Sequence, residues 1–230
     1  MEMTAKGNYL FGSMNETIYQ CGREQKLSSI VGLSKYHQGW NALFNRLNEL
    51  PNAMECDFSG FDKSVDQRCI NMVMNLRLGL YSRRTPSLIS LVRAYYTHIV
   101  FTITIMEDGT ILMKSTGQPS GQTNTITDNG MINEFRWMYA WCMLAPKDEL
   151  ASYTWWAANV RAAFAGDDSL ITVSDEVKEW YNPKNINSIF QKMDWGTKFT
   201  SENFVKLLDT QFCSLNFEPY GDIVVPKPAH

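Results

Sequence analysis

The stretch Val160-Arg161-Ala162-Ala163-Phe164-Ala165-Gly166-Asp167-Asp168-Ser169-Leu170-Ile171-Thr172-Val173 sets two apolar runs, Val160 to Phe164 and Leu170 to Val173, on either side of a tight turn at 165–168. Short β-rich runs around a Gly-Asp turn predict a β-hairpin. Two adjacent carboxylates at its tip repel each other unless a cation neutralises them. Oxygen ligands with no His or Cys close in sequence point to Mg²⁺ or Mn²⁺ rather than zinc. Taken alone, Gly166-Asp167-Asp168 reads more readily as an ordinary hairpin turn with solvated acids, so the rest of the chain has to decide.

Upstream, Ala53 to Phe58 alternates, with Met54, Cys56 and Phe58 on one face and Glu55 and Asp57 on the other. This predicts a short strand that ends on Asp57. A second acid, Asp62, follows within Asp57-Phe58-Ser59-Gly60-Phe61-Asp62. That pair alone fits a strand-end acid followed by a helix N-cap at Asp62 or Ser64. Between the two acidic segments lies Ser120-Gly121-Gln122-Thr123-Asn124-Thr125-Ile126-Thr127-Asp128-Asn129. A helix beginning near Gly121 would bring Gly121, Thr125 and Asn129 onto one face at intervals of four. A glycine open to close approach, followed by small polar donors and acceptors, suits a sugar or phosphate.

The remaining elements follow from periodicity. Residues 1–30 have weak periodicity and are expected to be irregular connection with short pieces of structure. Trp40, Leu43, Phe44, Leu47 and Leu50 predict a helix from Ser34 that stops at Pro51. Val65, Cys69, Met72, Val73, Leu76 and Leu80 form an apolar helical stripe. Phe101 to Met113 reads as a hairpin with Asp108-Gly109 at its turn. Ile132, Phe135, Tyr139 and Cys142 mark a long helix ending near Pro146, and Ile186, Ile189, Phe190 and Met193 mark another, closed by Gly196. Trp137, Trp141 and Trp155-Trp156 are expected to be core or sheet-backing aromatics. The order of elements implies an α+β fold, an antiparallel sheet backed by helices.

Composition bounds the rest. The chain has 230 residues, 44% of them apolar and 13% aromatic, which fits a folded globular protein. No apolar run reaches the roughly 18 residues of a membrane span, so no transmembrane segment is expected. The start lacks the apolar stretch of a secretory signal. Five scattered cysteines with no C-x-x-C pair argue against a disulfide framework or zinc site and suit a reducing cytosolic setting. A formal net charge of −3 counts against a simple nucleic-acid-binding module, whose footprint is normally basic.

A strand-end acid, a glycine-opened polar segment and an acid-acid hairpin, in that order, resemble motifs A, B and C of the polymerase palm of positive-strand RNA viruses, the group that includes picornaviruses, potyviruses and astroviruses. The likeness extends through Val31-Gly32-Leu33-Ser34-Lys35 with Gly39-Trp40, Asp108-Gly109-Thr110-Ile111 and Val225-Pro226-Lys227, and so covers roughly residues 30–228. The resemblance implies template-directed RNA synthesis for viral genome replication by two-metal-ion nucleotidyl transfer, with two Mg²⁺ (or Mn²⁺) ions. By the same resemblance Asp57, Asp167 and Asp168 would be the catalytic metal ligands. Asp62, Ser120, Gly121, Thr125 and Asn129 would bind the NTP and read its ribose, and Phe212-Cys213-Ser214 would form the primer grip. The lysine of motif D has no clean match: Lys206 is slightly preferred to Lys198 as a general acid. Ala165 stands where many relatives carry Tyr.

On this reading residues 1–230 form a palm core with partial fingers segments and no complete thumb, and 1–50 and 80–118 are fingers-side or connecting segments. Such a fragment is expected to be inactive by itself. Implied partners are an RNA template, a primer or product strand, NTPs and other replicase proteins, in host cytoplasm at membrane-associated replication complexes. Two alternatives stand beside it: another palm-type polymerase such as a reverse transcriptase, which Asp62 with Asn129 disfavours, and a catalytically silent structural or RNA-binding module, which would lack Mg²⁺ or Mn²⁺ binding.

Overall fold

The computed structural model describes residues 2–119, 121–199 and 201–229. Its helices are α1 (Glu2–Arg23), α2 (Gly39–Leu47), α3 (Phe61–Ser64), α4 (Gln67–Leu80), α5 (Pro86–Val100), α6 (Thr125–Leu144), α7 (Tyr153–Asn159) and α8 (Pro183–Lys192). The strands are β1 (Asn52–Phe58), β2 (Ile103–Ile105), β3 (Ile111–Met113), β4 (Val160–Ala165), β5 (Asp168–Val173), β6 (Thr197–Phe199), β7 (Gln211–Phe212), β8 (Leu215–Tyr220) and β9 (Ile223–Pro228).

The central sheet has the order β4-β5-β1-β6, with every pair antiparallel. The alternation in β1 fixes which way it faces. Met54, Cys56 and Phe58 join Ala162, Phe164, Ile171 and Val173 in a core covered by α4, α6 and α8. The opposite face contributes Ala53, Ala163 and Leu170 to a second core with Trp40, Leu43 and Leu47 of α2 and with Phe212 and Phe217 of the β7-β8-β9 sheet. The central sheet is therefore sandwiched, and both cores leave its strand ends open. Past β4, Phe164 exchanges backbone hydrogen bonds with the segment after α1: Ile30 N donates to Phe164 O and Phe164 N to Ser28 O, both at 2.9 Å.

Several helices begin where side chains satisfy otherwise unpaired amides. Asp66 accepts from Cys69 N at 3.0 Å, Thr85 from Leu88 N at 3.2 Å ahead of Pro86, and Asn182 from Asn185 N at 3.0 Å ahead of Pro183.

Three expectations need correction. Residues 2–23 are one long helix, not irregular connection. Its buried positions are Gly7, Leu10, Phe11, Asn15 and Gly22, and Met3, Met14, Ile18 and Cys21 are partly buried at helical spacing; the glycines and asparagine on the inward face dilute that periodicity without removing it. A Cβ at Gly7 would lie 2.7 Å from the Tyr95 hydroxyl, so any larger residue there would require Tyr95 to shift where α1 approaches α5. The helix expected from Ser34 starts at Gly39, and α5 and α7 are helices not anticipated above, although Val92, Tyr95, Tyr96, Ile99 and Val100 of α5 keep helical spacing behind Thr85-Pro86. Finally, the stripe on α4 rotates out of the core at its end. Leu76 and Leu80 are exposed and line an apolar cavity of about 620 Å³ between α1, α4 and α6, while Arg77 is buried in their stead. Trp137, Trp141 and Trp156 are core residues as expected, and Trp155 is not.

Candidate active site

β1 and β5 pair with Cys56 opposite Ser169, and the antiparallel register carried one residue further sets Asp57 opposite Asp168. Both lie on the face that carries Ala53 and Leu170, toward the β7-β8 turn. In the β4-β5 hairpin Ala165 pairs with Asp168, and Gly166 adopts φ +67°, a left-handed conformation at no cost to glycine. Asp57, Asp168, Phe212, Cys213 and Ser214 border one polar cavity of about 230 Å³.

The carboxylates feel one another. Burial pushes Asp167 above the ordinary aspartate range, and Asp62 and Asp57 push it the same way. Burial also raises Asp168, with further upward pressure from Asp167 and Asp57. The Cys213 thiol hydrogen-bonds to Asp168 and partly relieves it. Burial and then the Asp168 charge drive that thiol up to about 12. Cys213 and Ser214 have φ of 50° and 59°, the two positive values of a type I′ hairpin turn, here without glycine.

Asp62 sits on α3, turned by Gly60, and accepts from Asn129 Nδ2 at 2.9 Å. That bond fixes the amide, leaving Asn129 Oδ1 buried and without a hydrogen-bond partner among the described residues. The loop before α6 docks on the same segment, with Gln118 N donating to Asp62 O at 2.9 Å and Gly117 N to Val65 O at 2.7 Å.

The polar row is shorter than expected. α6 begins at Thr125, so Gly121 lies in the preceding turn, exposed and with open space around it. The Thr125 hydroxyl is spent on Pro119 O and Gln122 O, at 3.0 and 2.9 Å. Ser120 lies outside the described residues. Lys198 is the register partner of Asp57. Lys206 follows Val205, which bridges Ala53, four residues back along β1 and about 13 Å from Asp57.

Residues that sequence reasoning passed over hold the site together. Asn133, four residues after Asn129 on α6, donates from Nδ2 to the carbonyls of Gly166, Asp167 and Asp168 at 3.1, 3.0 and 3.4 Å. Arg136 donates to Ser64 O at 2.9 Å and lies 4.5 Å from the Phe61 ring centroid. Continuing the four-residue spacing of the polar row would have found Asn133. Deeper in, Arg77 and Asp128 form a fully buried ion pair at 2.6 Å, joined by Asn15, Thr127 and Tyr96. Burial alone would depress the Arg77 guanidinium, but Asp128 and the neighbouring tyrosines more than offset it.

Oxygen-rich and set at strand ends, the donor set fits a hard divalent cation. Among the described residues no three acidic, His or Cys side chains form a ready-made cage.

An antiparallel sheet backed by helices, with acids gathered at its open strand ends, is the architecture of a polymerase palm. The chain belongs to the viral RNA-dependent RNA polymerase family, whose model matches residues 1–230. It is 29% identical over 199 residues to the genome polyprotein of Brome streak virus (strain German), covering 86% of this chain and 20% of the polyprotein. Against the genome polyprotein of Ornithogalum mosaic virus it is 30% identical over 206 residues, 86% of this chain and 17% of the polyprotein. Among solved structures it resembles the Sicinivirus 3Dpol RNA-dependent RNA polymerase, with a TM-score of 0.75 and 19% identity over 96% of this chain and 45% of that one. The chain thus spans a fifth or less of these polyproteins and under half of the solved polymerase.

Proposed function

We propose that this chain is the catalytic palm of a polymerase that copies viral RNA, adding nucleotides from NTPs to an RNA 3′ end for genome replication. The observation that carries the reading is the meeting of Asp57, Asp167 and Asp168 at adjoining strand ends, with the two turn acids raised by burial and by their acidic neighbours. Those three carboxylates would hold two Mg²⁺ (or Mn²⁺) ions. When bound, the ions would supply activation of the 3′-hydroxyl and charge neutralisation at the leaving pyrophosphate. The protein's own part is positioning. The sheet register sets Asp57 against Asp168, and α6 holds Asn129 against Asp62.

The Asp62 carboxylate, held in place by the Asn129 amide, is an acceptor suited to the single proton of a ribose 2′-hydroxyl, which deoxyribose lacks. This favours ribonucleotides and weighs against a reverse transcriptase. The Phe212-Cys213-Ser214 turn borders the same cavity as Asp168, which supports a role in seating the primer or product strand. RNA template, NTPs and other replicase proteins are the corresponding partners.

The test is primer extension by a polymerase-length protein carrying these residues. Asp167→Asn keeps size but removes a charge, so incorporation should fall on the order of a thousandfold, since ion-mediated charge stabilisation is worth several kcal/mol. Glu176→Gln, at an exposed acid beyond β5, should extend normally. Near-normal extension by a folded Asp167→Asn protein would overturn the assignment.

A further inference from the structure

We infer that Asn133 is the positioning residue that sets the acid-bearing turn, an inference that rests on the polymerase reading only for what the turn binds. Its amide orientation is fixed by chemistry rather than by choice. Trp137 Nε1 can only donate, and it reaches Asn133 Oδ1 at 3.1 Å; Ser169 Oγ reaches the same oxygen at 3.0 Å. Nδ2 therefore faces the turn, where carbonyls of three successive residues, Gly166, Asp167 and Asp168, lie within 3.4 Å. Asn133 and Trp137 are wholly buried and Ser169 nearly so, so these bonds do not compete with water. Drawing three carbonyls inward onto one amide leaves the turn a single backbone path.

α6 has a second grip. Asn129 holds Asp62, and Arg136 holds Ser64 at the end of the segment that follows Asp57. Positions 129, 133 and 136 lie on one face of one helix, so α6 sets the spacing between the two acidic segments. The stress among Asp57, Asp167 and Asp168 works against that spacing whenever no cation is present.

The experiment uses the 230-residue chain and two readouts. Mn²⁺ binding is followed by the EPR signal of the free ion, and amide hydrogen exchange is followed at 166–169. Asn133→Leu and Asn133→Asp should each weaken Mn²⁺ binding about tenfold, the usual effect of losing a group that orients metal ligands. Exchange should quicken at 166–169 well beyond any change in α8. Ser169→Ala should move both in the same direction by a smaller factor, and it carries the test if the Asn133 variants do not fold. Unchanged Mn²⁺ affinity and unchanged exchange in folded variants would overturn the inference. Mn²⁺ binding that is indifferent to Asp167→Asn would instead overturn the polymerase reading, and the exchange data would still judge Asn133.

Discussion

Asp167 carries a carboxylate that the fold holds partly out of water and close to other acids, and this has a measurable sign. Its folded pKa is raised, by burial first and then by Asp62 and Asp57. Ionising it thus costs the folded state more than the unfolded chain. The penalty is absent below the unfolded value of about 4, sets in as pH rises through the window between the two values, and is complete above it. Without divalent ions, Asp167→Asn should therefore melt higher than wild type at pH 7, with the gap closing toward pH 4. Mg²⁺ should raise the wild-type Tm more than that of the variant. Calorimetry across pH checks both, and a variant less stable than wild type at pH 7 would contradict the electrostatic account. At Asn129 the expected effect concerns selectivity. In a polymerase-length protein Asn129→Ala should narrow discrimination between NTP and dNTP by about 1–3 kcal/mol, the scale of a buried polar group left unpaired. Equal loss toward both sugars, seen in single-nucleotide kinetics, would reassign Asn129 to structure. The acids were legible because neighbouring carboxylates at the ends of apolar strands are costly to keep together without a cation. Asn133 was legible only as the next step of the four-residue polar row, and its role was not, because its partner, a backbone turn, leaves no mark in the sequence.

Among elements, α4 and α6 are joined by the Arg77–Asp128 pair, with α1 contributing Asn15 and α5 contributing Tyr96. Removing one partner strands a charge in the core. Arg77→Met should cost about 3–5 kcal/mol, while the double change with Asp128→Leu should recover much of it. Urea titrations measure both; a double variant as unstable as the single one would mean the packing, not the charge, was at stake. This pair also marks where element-level reading failed. Period-2 and period-3.6 patterns found β1, the two hairpins, α4, α6 and α8. They missed α1, whose buried face carries Gly7, Asn15 and Gly22, and they put Leu76 and Leu80 in the core in place of Arg77. An arginine enters an interior only if a distant carboxylate awaits it, and no local pattern reports that.

For the molecule as a whole, charge and fold pull in different directions. A net charge of −3 accompanies a site that would have to sit beside a phosphodiester backbone. The 230-residue chain should therefore bind single-stranded RNA no more tightly than about 10 μM near physiological salt, within the usual non-specific range. Fluorescence anisotropy checks this, and submicromolar binding would reveal a basic track that the sequence balance conceals. The sandwich of two cores around one sheet was legible as an α+β layer, since hairpins alternating with helices allow little else. Which strands would stand at its borders was not. β4 is one of those borders, and an outer strand with free amides and carbonyls is a template on which other chains can add. The two hydrogen bonds between Phe164 and the Ser28–Ile30 segment occupy part of that template. A short clip after the first helix thus shields the strand leading into the acidic turn from edge-to-edge aggregation.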